Sequence, residues 1–228
     1  MILQIIEVPL YAVILLLITG VAAILFSVFM VLDFLKNKKM HHLLWAIAFF
    51  VLFVAGVVLA IGRNYAHLLS PAVSVLAVFI PGGIAAGLFY SSVFDEEKSK
   101  KLGMGYVIFV LVGAVLILLT KTITAWAEAA KFAVMLVHIP SGLAMVILPF
   151  LVYQKQTSEW TPLLVSIGGA IIGLAGILLA FLVSGFTELT GFVFGALPVL
   201  LLIVALCFAF GFLLTKQWSF AFPFIKSE

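Results

Sequence analysis

Uncharged apolar stretches, each followed by a short polar cluster, recur from one end of this chain to the other. A bilayer core needs about 20 apolar residues per helical crossing. Seven segments meet that length: 9–31, 43–62, 68–94, 104–120, 130–153, 163–186 and 191–215. Lipid offers backbone N–H and C=O groups no partner, and the alternation of barrel strands is absent, so each segment reads as a helix. The pattern predicts an all-α, polytopic membrane protein with seven transmembrane helices. The clusters Lys36 to Lys39, Arg63 to Tyr65, Asp95 to Lys101, Lys121 to Glu128, Gln154 to Trp160 and Thr187 to Thr190 read as loops. None is long enough to join two domains, so residues 1–228 are expected to form a single integral membrane domain, multi-pass in the cell membrane.

Composition narrows the function classes. The chain is 66% apolar and 9% charged, against about 45–50% and about 25% in soluble domains. A water-soluble fold, a disordered tail and a nucleic-acid module are excluded. The net charge of +3 comes from loop lysines, and the partner it demands is the lipid bilayer. The lone Cys207 cannot form an internal disulfide and reads as a small core residue. No basic residue precedes the first apolar run, which therefore reads as a retained span.

Basic residues set the orientation, because they are retained on the cytoplasmic side. Lys36, Lys38, Lys39, Lys98, Lys100, Lys101, Lys155, Lys216 and Lys226 fall at one end of the spans, and Arg63, Lys121 and Lys131 at the other. The N-terminus is thus expected outside and the C-terminus in the cytoplasm. Trp and Tyr prefer the headgroup level. Tyr11, Tyr65 and Trp126 fall at outer span ends; Trp45, Tyr90, Tyr106, Tyr153, Trp160 and Trp218 fall at inner ends. They read as an aromatic belt.

A shift of 86 positions superposes spans two, three and four on five, six and seven. Gly82, Gly83 and Gly87 then meet Gly168, Gly169 and Gly173, while Gly56 meets Gly142 and Gly105 meets Gly191. The match suggests an inverted three-helix repeat, 43–120 and 129–206, as many transporters use. The alternative is that Gly83/Gly87 and Gly169/Gly173 are close-packing GxxxG pairs.

Ionisable groups inside a membrane are functional suspects because they are costly to place there. All nine acids, Asp33 among them, fall at span ends or in loops. No buried carboxylate is therefore expected, which disfavours proton-coupled transport. His138 lies inside span five, just before Pro140 and Ser141. It could bind a solute or ion, or simply bond a neighbouring helix. Haem would need a facing histidine, but His67 lies near the outer boundary, and His41 and His42 lie on the other side. No cofactor or metal is expected. Pro81, beside Gly82 and Gly83, should bend or open span three and mark a path or hinge. Arg63, His67 and Glu128 form a polar set on the outer face.

No HExxH, nucleophile elbow or clustered His/Asp set is present, so an enzyme is not expected. Two classes remain. The first is a transport-class channel or facilitator for a small solute or ion, with spans three and six crossing at the centre beside His138 and Ser141. The second is a non-catalytic sensor or membrane-complex subunit, homo-oligomeric or docked on a membrane partner through its glycine-rich faces.

Overall fold

A computed structural model describes residues 7–91, 93–155, 159–183, 188 and 190–218. The end of the sixth expected span at 184–186, together with Lys226 and Glu228, lies outside them. Seven α-helices follow in order: α1 Leu10–Asn37, α2 Met40–Gly62, α3 Pro71–Tyr90, α4 Glu96–Thr122, α5 Ala130–Lys155, α6 Pro162–Val183 and α7 Thr190–Leu214. Short 3-10 turns at Tyr65–Leu69 and Thr124–Ala129 precede α3 and α5. Among the described residues, six of the helices are long and apolar enough to cross a membrane, and α6 is apolar over Pro162–Leu178. α6 is an apolar helix of 22 residues. The outer surface of α1, with Leu10, Ile14, Leu17, Ile18, Val21 and Leu25 exposed, is covered only by lipid chains if the protein is membrane-embedded. This is an all-helical integral membrane protein.

Helix ends follow capping chemistry rather than hydropathy. The expected loop Asp95 to Lys101 is largely helical, because Asp95 Oδ1 accepts the Lys98 N–H at 2.9 Å and Glu96 and Glu97 complement the start of α4. α1 likewise runs through Lys36 and closes where Lys38, at φ 56°, donates its N–H to Phe34. The helix also continues through Pro81. That proline cannot donate to the Ala77 carbonyl, yet α3 is unbroken from Pro71 to Tyr90. The expected opening at Pro81 is therefore absent, and Pro140, Pro149 and Pro198 also lie inside continuous helices.

Neighbour contacts arrange six helices in a closed ring, α1–α2–α3–α5–α6–α7 and back to α1, with α4 outside it against α3 and α5. Short connections make successive helices antiparallel, so one end of the ring carries the lysine clusters and the other carries Arg63. Nearest neighbours repeat in the order the 86-residue shift suggests, α2 on α3 and α5 on α6. The glycines do not. Gly83 and Gly169 each lie seven residues inside the lysine-rich end of their helices. An in-plane axis would send one of them toward the opposite end, so this placement does not support the glycine match.

The interior is filled unequally. Toward the lysine-rich end, one buried cluster joins all six helices of the ring, including Met30, Trp45, Phe49, Leu88, Met145, Val165, Phe208 and Phe212, together with Trp218 beyond α7. Toward the Arg63 end there are two separate clusters. One joins Ala12 and Leu16 of α1 with Leu59, Tyr65 and Phe194. The other joins Val78 of α3 with Val110, Ile117 and Val137 of α4 and α5. Among the described residues neither includes α6, and none of residues 170–178 is buried.

Candidate functional site

The buried stripe of α1 runs Leu16, Gly20, Ala23, Ser27, Met30 and ends on Asp33. The stripe of α2 begins at His42 and continues through Trp45, Phe49 and Leu52. Helical spacing thus carries an acid and an imidazole into the protein at the α1–α2 turn. His42 is fully buried and Asp33 is 4% exposed. Asp33 does lie near a span end, but its burial corrects the expectation that the protein holds no buried carboxylate. Position along the membrane normal does not report which side of a helix a residue occupies.

Three hydrogen bonds fix the pair. His42 Nδ1 lies 2.7 Å from Asp33 Oδ2, and His42 Nε2 lies 3.0 Å from the Trp218 carbonyl oxygen. Asn37 Nδ2 donates to the other carboxylate oxygen at 2.8 Å. Trp218 belongs to a short segment that follows α7 and straps across the lysine-rich end. Gln217 Nε2 donates to the Ser91 carbonyl at 2.7 Å, and the Thr215 and Thr161 hydroxyls meet at 3.0 Å.

Above the pair sits an aromatic plug. Trp45 stacks on Phe212 with ring centroids 3.9 Å apart, and Trp218 meets both rings edge-on. The Trp45 indole donates to the Ile84 carbonyl at 3.1 Å, tying α2 to α3. Trp45 and Trp218 are fully buried, and so is Tyr65, stacked on Phe194 at 4.6 Å. These three are core residues, not belt anchors, whereas Tyr11, Trp126 and Trp160 are exposed as a belt requires. Burial, with a smaller contribution from Tyr11, pushes the Tyr65 hydroxyl up to about 12. It stays neutral and finds no hydrogen-bond partner.

Beyond the plug, at mid-depth, a void of about 10 Å³ lies among Phe49, Leu52, Ile84, Ile172, Leu201 and Phe208. Its whole lining is apolar. That volume is at the lower limit for one water molecule, which would also need polar partners.

The glycines and prolines singled out from the sequence do not meet at a crossing of α3 and α6. α3 packs on α2, α4 and α5, whereas α6 packs on α5 and α7. A Cβ on Gly83 would lie 3.1 Å from the Leu44 carbonyl and 3.2 Å from Ala48 of α2. One on Gly87 would enter the Trp45 indole, and one on Gly82 would meet Val110 of α4. On the other side, Gly168 faces Phe208 of α7 and Gly169 faces Met145 of α5, 2.6 Å from its Cβ. Gly173 lies opposite Gly142 and has open space where a side chain would be. Pro81 is buried beside Gly82, and Pro140 is half-buried.

His138 Nδ1 bonds the Val134 carbonyl of its own helix at 3.0 Å. It shares with Gly142 and Met145 the face of α5 that meets α6, and lies near Gly176. Ser141 points the other way, toward α4, where its hydroxyl meets Tyr106 Oη at 3.0 Å. The outer polar set also separates. Arg63 pairs with Glu7 at 3.0 Å and Glu128 with Lys131 at 3.8 Å, while His67 is exposed beside Gly62. Among the described residues, no three His, Cys, Asp or Glu side chains are grouped to hold a metal ion.

Comparison with protein families, curated proteins and solved structures finds no match to this chain.

Proposed function

We propose that this protein is a transport-class facilitator for a small neutral solute, closed at its lysine-rich end. The observation that carries the reading is the unequal filling of the six-helix ring. One end is plugged by Trp45, Phe212 and Trp218, whereas among the described residues the other end holds two separate buried clusters and none shared by the ring. A passenger entering from the Arg63 end would reach the apolar void above the plug. Side chains there offer no dipole to replace the hydration of an ion, so the passenger would be uncharged, and the void of about 10 Å³ would have to widen to admit it. The Arg63 end would face outward and the lysine-rich end the cytoplasm, in the cell membrane. No catalytic role is assigned.

Light scattering from proteoliposomes in small neutral osmolytes tests the reading. Swelling is expected to exceed that of protein-free vesicles, and Phe212→Ala is expected to raise it several-fold by thinning the plug. Rates equal to protein-free vesicles for both forms would exclude a solute path. The second reading, a sensor or complex subunit docked through glycine faces, retains only the unoccupied Gly105, Gly173 and Gly191, because the other paired glycines of α3 and α6 are covered within the chain.

Orientation is testable separately. Cysteines placed at the exposed Lys38 and Lys100 are expected to be shielded from an impermeant thiol reagent in intact cells. One at the exposed Ala127 should react, in a Cys207→Ala background. The opposite labelling pattern would invert the assignment.

A further inference from the structure

The hydrogen bonds of the Asp33–His42 pair fix its proton count. A peptide carbonyl can only accept, so His42 Nε2, 3.0 Å from the Trp218 oxygen, must carry a hydrogen. The contact between Nδ1 and Asp33 Oδ2 at 2.7 Å needs a second hydrogen. Either Nδ1 carries it toward a carboxylate, or a carboxylic acid donates it to a bare Nδ1. Both arrangements are neutral overall, and both hold one proton more than a neutral imidazole beside an ionised acid. With that proton gone, one of two contacts must fail. A lone pair on Nδ1 would face the carboxylate, or a lone pair on Nε2 would face the Trp218 carbonyl. A net negative charge would also be left where both side chains are almost wholly buried.

We infer that Asp33 and His42 form a proton-binding site whose occupancy latches the Trp218 strap and keeps the lysine-rich end closed. Proton release leaves the pair anionic. The tautomer that keeps Nδ1–H toward Asp33 frees the Trp218 carbonyl, and the strap then leaves the Trp45–Phe212 stack. The proton passes to water at the lysine-rich end, so the net reaction is one proton exchanged for an unlatched strap. This site gives the proposed facilitator a means of coupling to pH, and in that respect it rests on the transport reading.

Among the described residues, other titratable and charged groups lie near the pair on α1, on α2 and on the strap. On α2, His41 packs edge-on against His42 with centroids 4.4 Å apart, and its Nε2 has no hydrogen-bond partner. Lys39 lies close enough to act electrostatically on His41. On α1, Asn37 is neutral and donates to Asp33. On the strap, Lys216 pairs with Glu159 at 3.6 Å.

Nitroxide labels on Lys36→Cys and Lys216→Cys, in a Cys207→Ala background, report the strap by electron–electron distance. A single short distance is expected at acidic pH, with a longer population growing to a majority as pH rises. Asp33→Asn supplies an amide N–H to Nδ1 without an added proton, so it should hold the short distance at every pH. His42→Ala should show the longer population throughout. A wild-type distance that does not change with pH, or Asp33→Asn following the wild-type profile, overturns the inference. Proteoliposome swelling run on the same samples separates the two readings. Solute flux without any pH-driven distance change removes the latch alone. A pH-driven distance change without flux of any solute keeps the latch and removes the transport reading.

Discussion

Replacing Gly87 by alanine is expected to cost about 2–6 kcal/mol of stability, combining overpacking of about 1–3 kcal/mol with a lost buried hydrogen bond of about 1–3 kcal/mol. The added methyl would enter the Trp45 indole, which cannot retreat, because Phe212 stacks on it and Trp218 abuts its edge. Moving the ring also breaks its bond to the Ile84 carbonyl. Gly173→Ala is the control. Nothing lies where its Cβ would be, so alanine there should be neutral or gain up to about 1 kcal/mol from helix propensity. Thermal unfolding in detergent micelles should separate the two variants by many degrees. Equal melting points would mean that the α2–α3 contact tolerates a side chain and that Gly87 is not needed for it.

Removing one member of the buried pair has a comparable effect through a different cause. His42→Ala is expected to destabilise by about 3–5 kcal/mol, since it leaves an uncompensated acid inside the protein. The double change Asp33→Leu with His42→Leu removes the charge together with its partner. Such replacements are often neutral or stabilising, so the double variant should recover most of the loss. Denaturant titration of both singles and the double completes the cycle. Strict additivity would show that the two side chains do not depend on each other.

The seven helices were legible because hydropathy measures depth, and each helix must be apolar over the depth it crosses. Facing was less legible. Trp45, Tyr65 and Trp218 sit at span ends, as belt residues do, but they turn inward and pack in the core. Asp33 and His42 could have been found by extending the buried stripes of α1 and α2 one step further, at three- and four-residue spacing. Helix ends escaped because a charged turn such as Glu96 to Lys101 can remain helical beyond the hydrocarbon, with Lys101 and Glu97 paired at 2.6 Å. The glycine partners could not be read in one dimension. Which helix covers Gly83 or Gly169 depends on the order of helices around the ring, and that order departs from chain order where α4 steps outside.

The contact between α1 and α7 that closes the ring has a consequence for biogenesis. Helices leave the ribosome in chain order, so the first must wait in the bilayer until the seventh has been made. During that interval the polar ends of Asp33 and His42 lack the Trp218 carbonyl and are open to water or to other membrane chains. Assembly of this fold is therefore completed only once α7 has been made, in a single late docking step. A nascent chain stalled before α7 would present an unfinished cylinder to the quality-control proteases of the membrane.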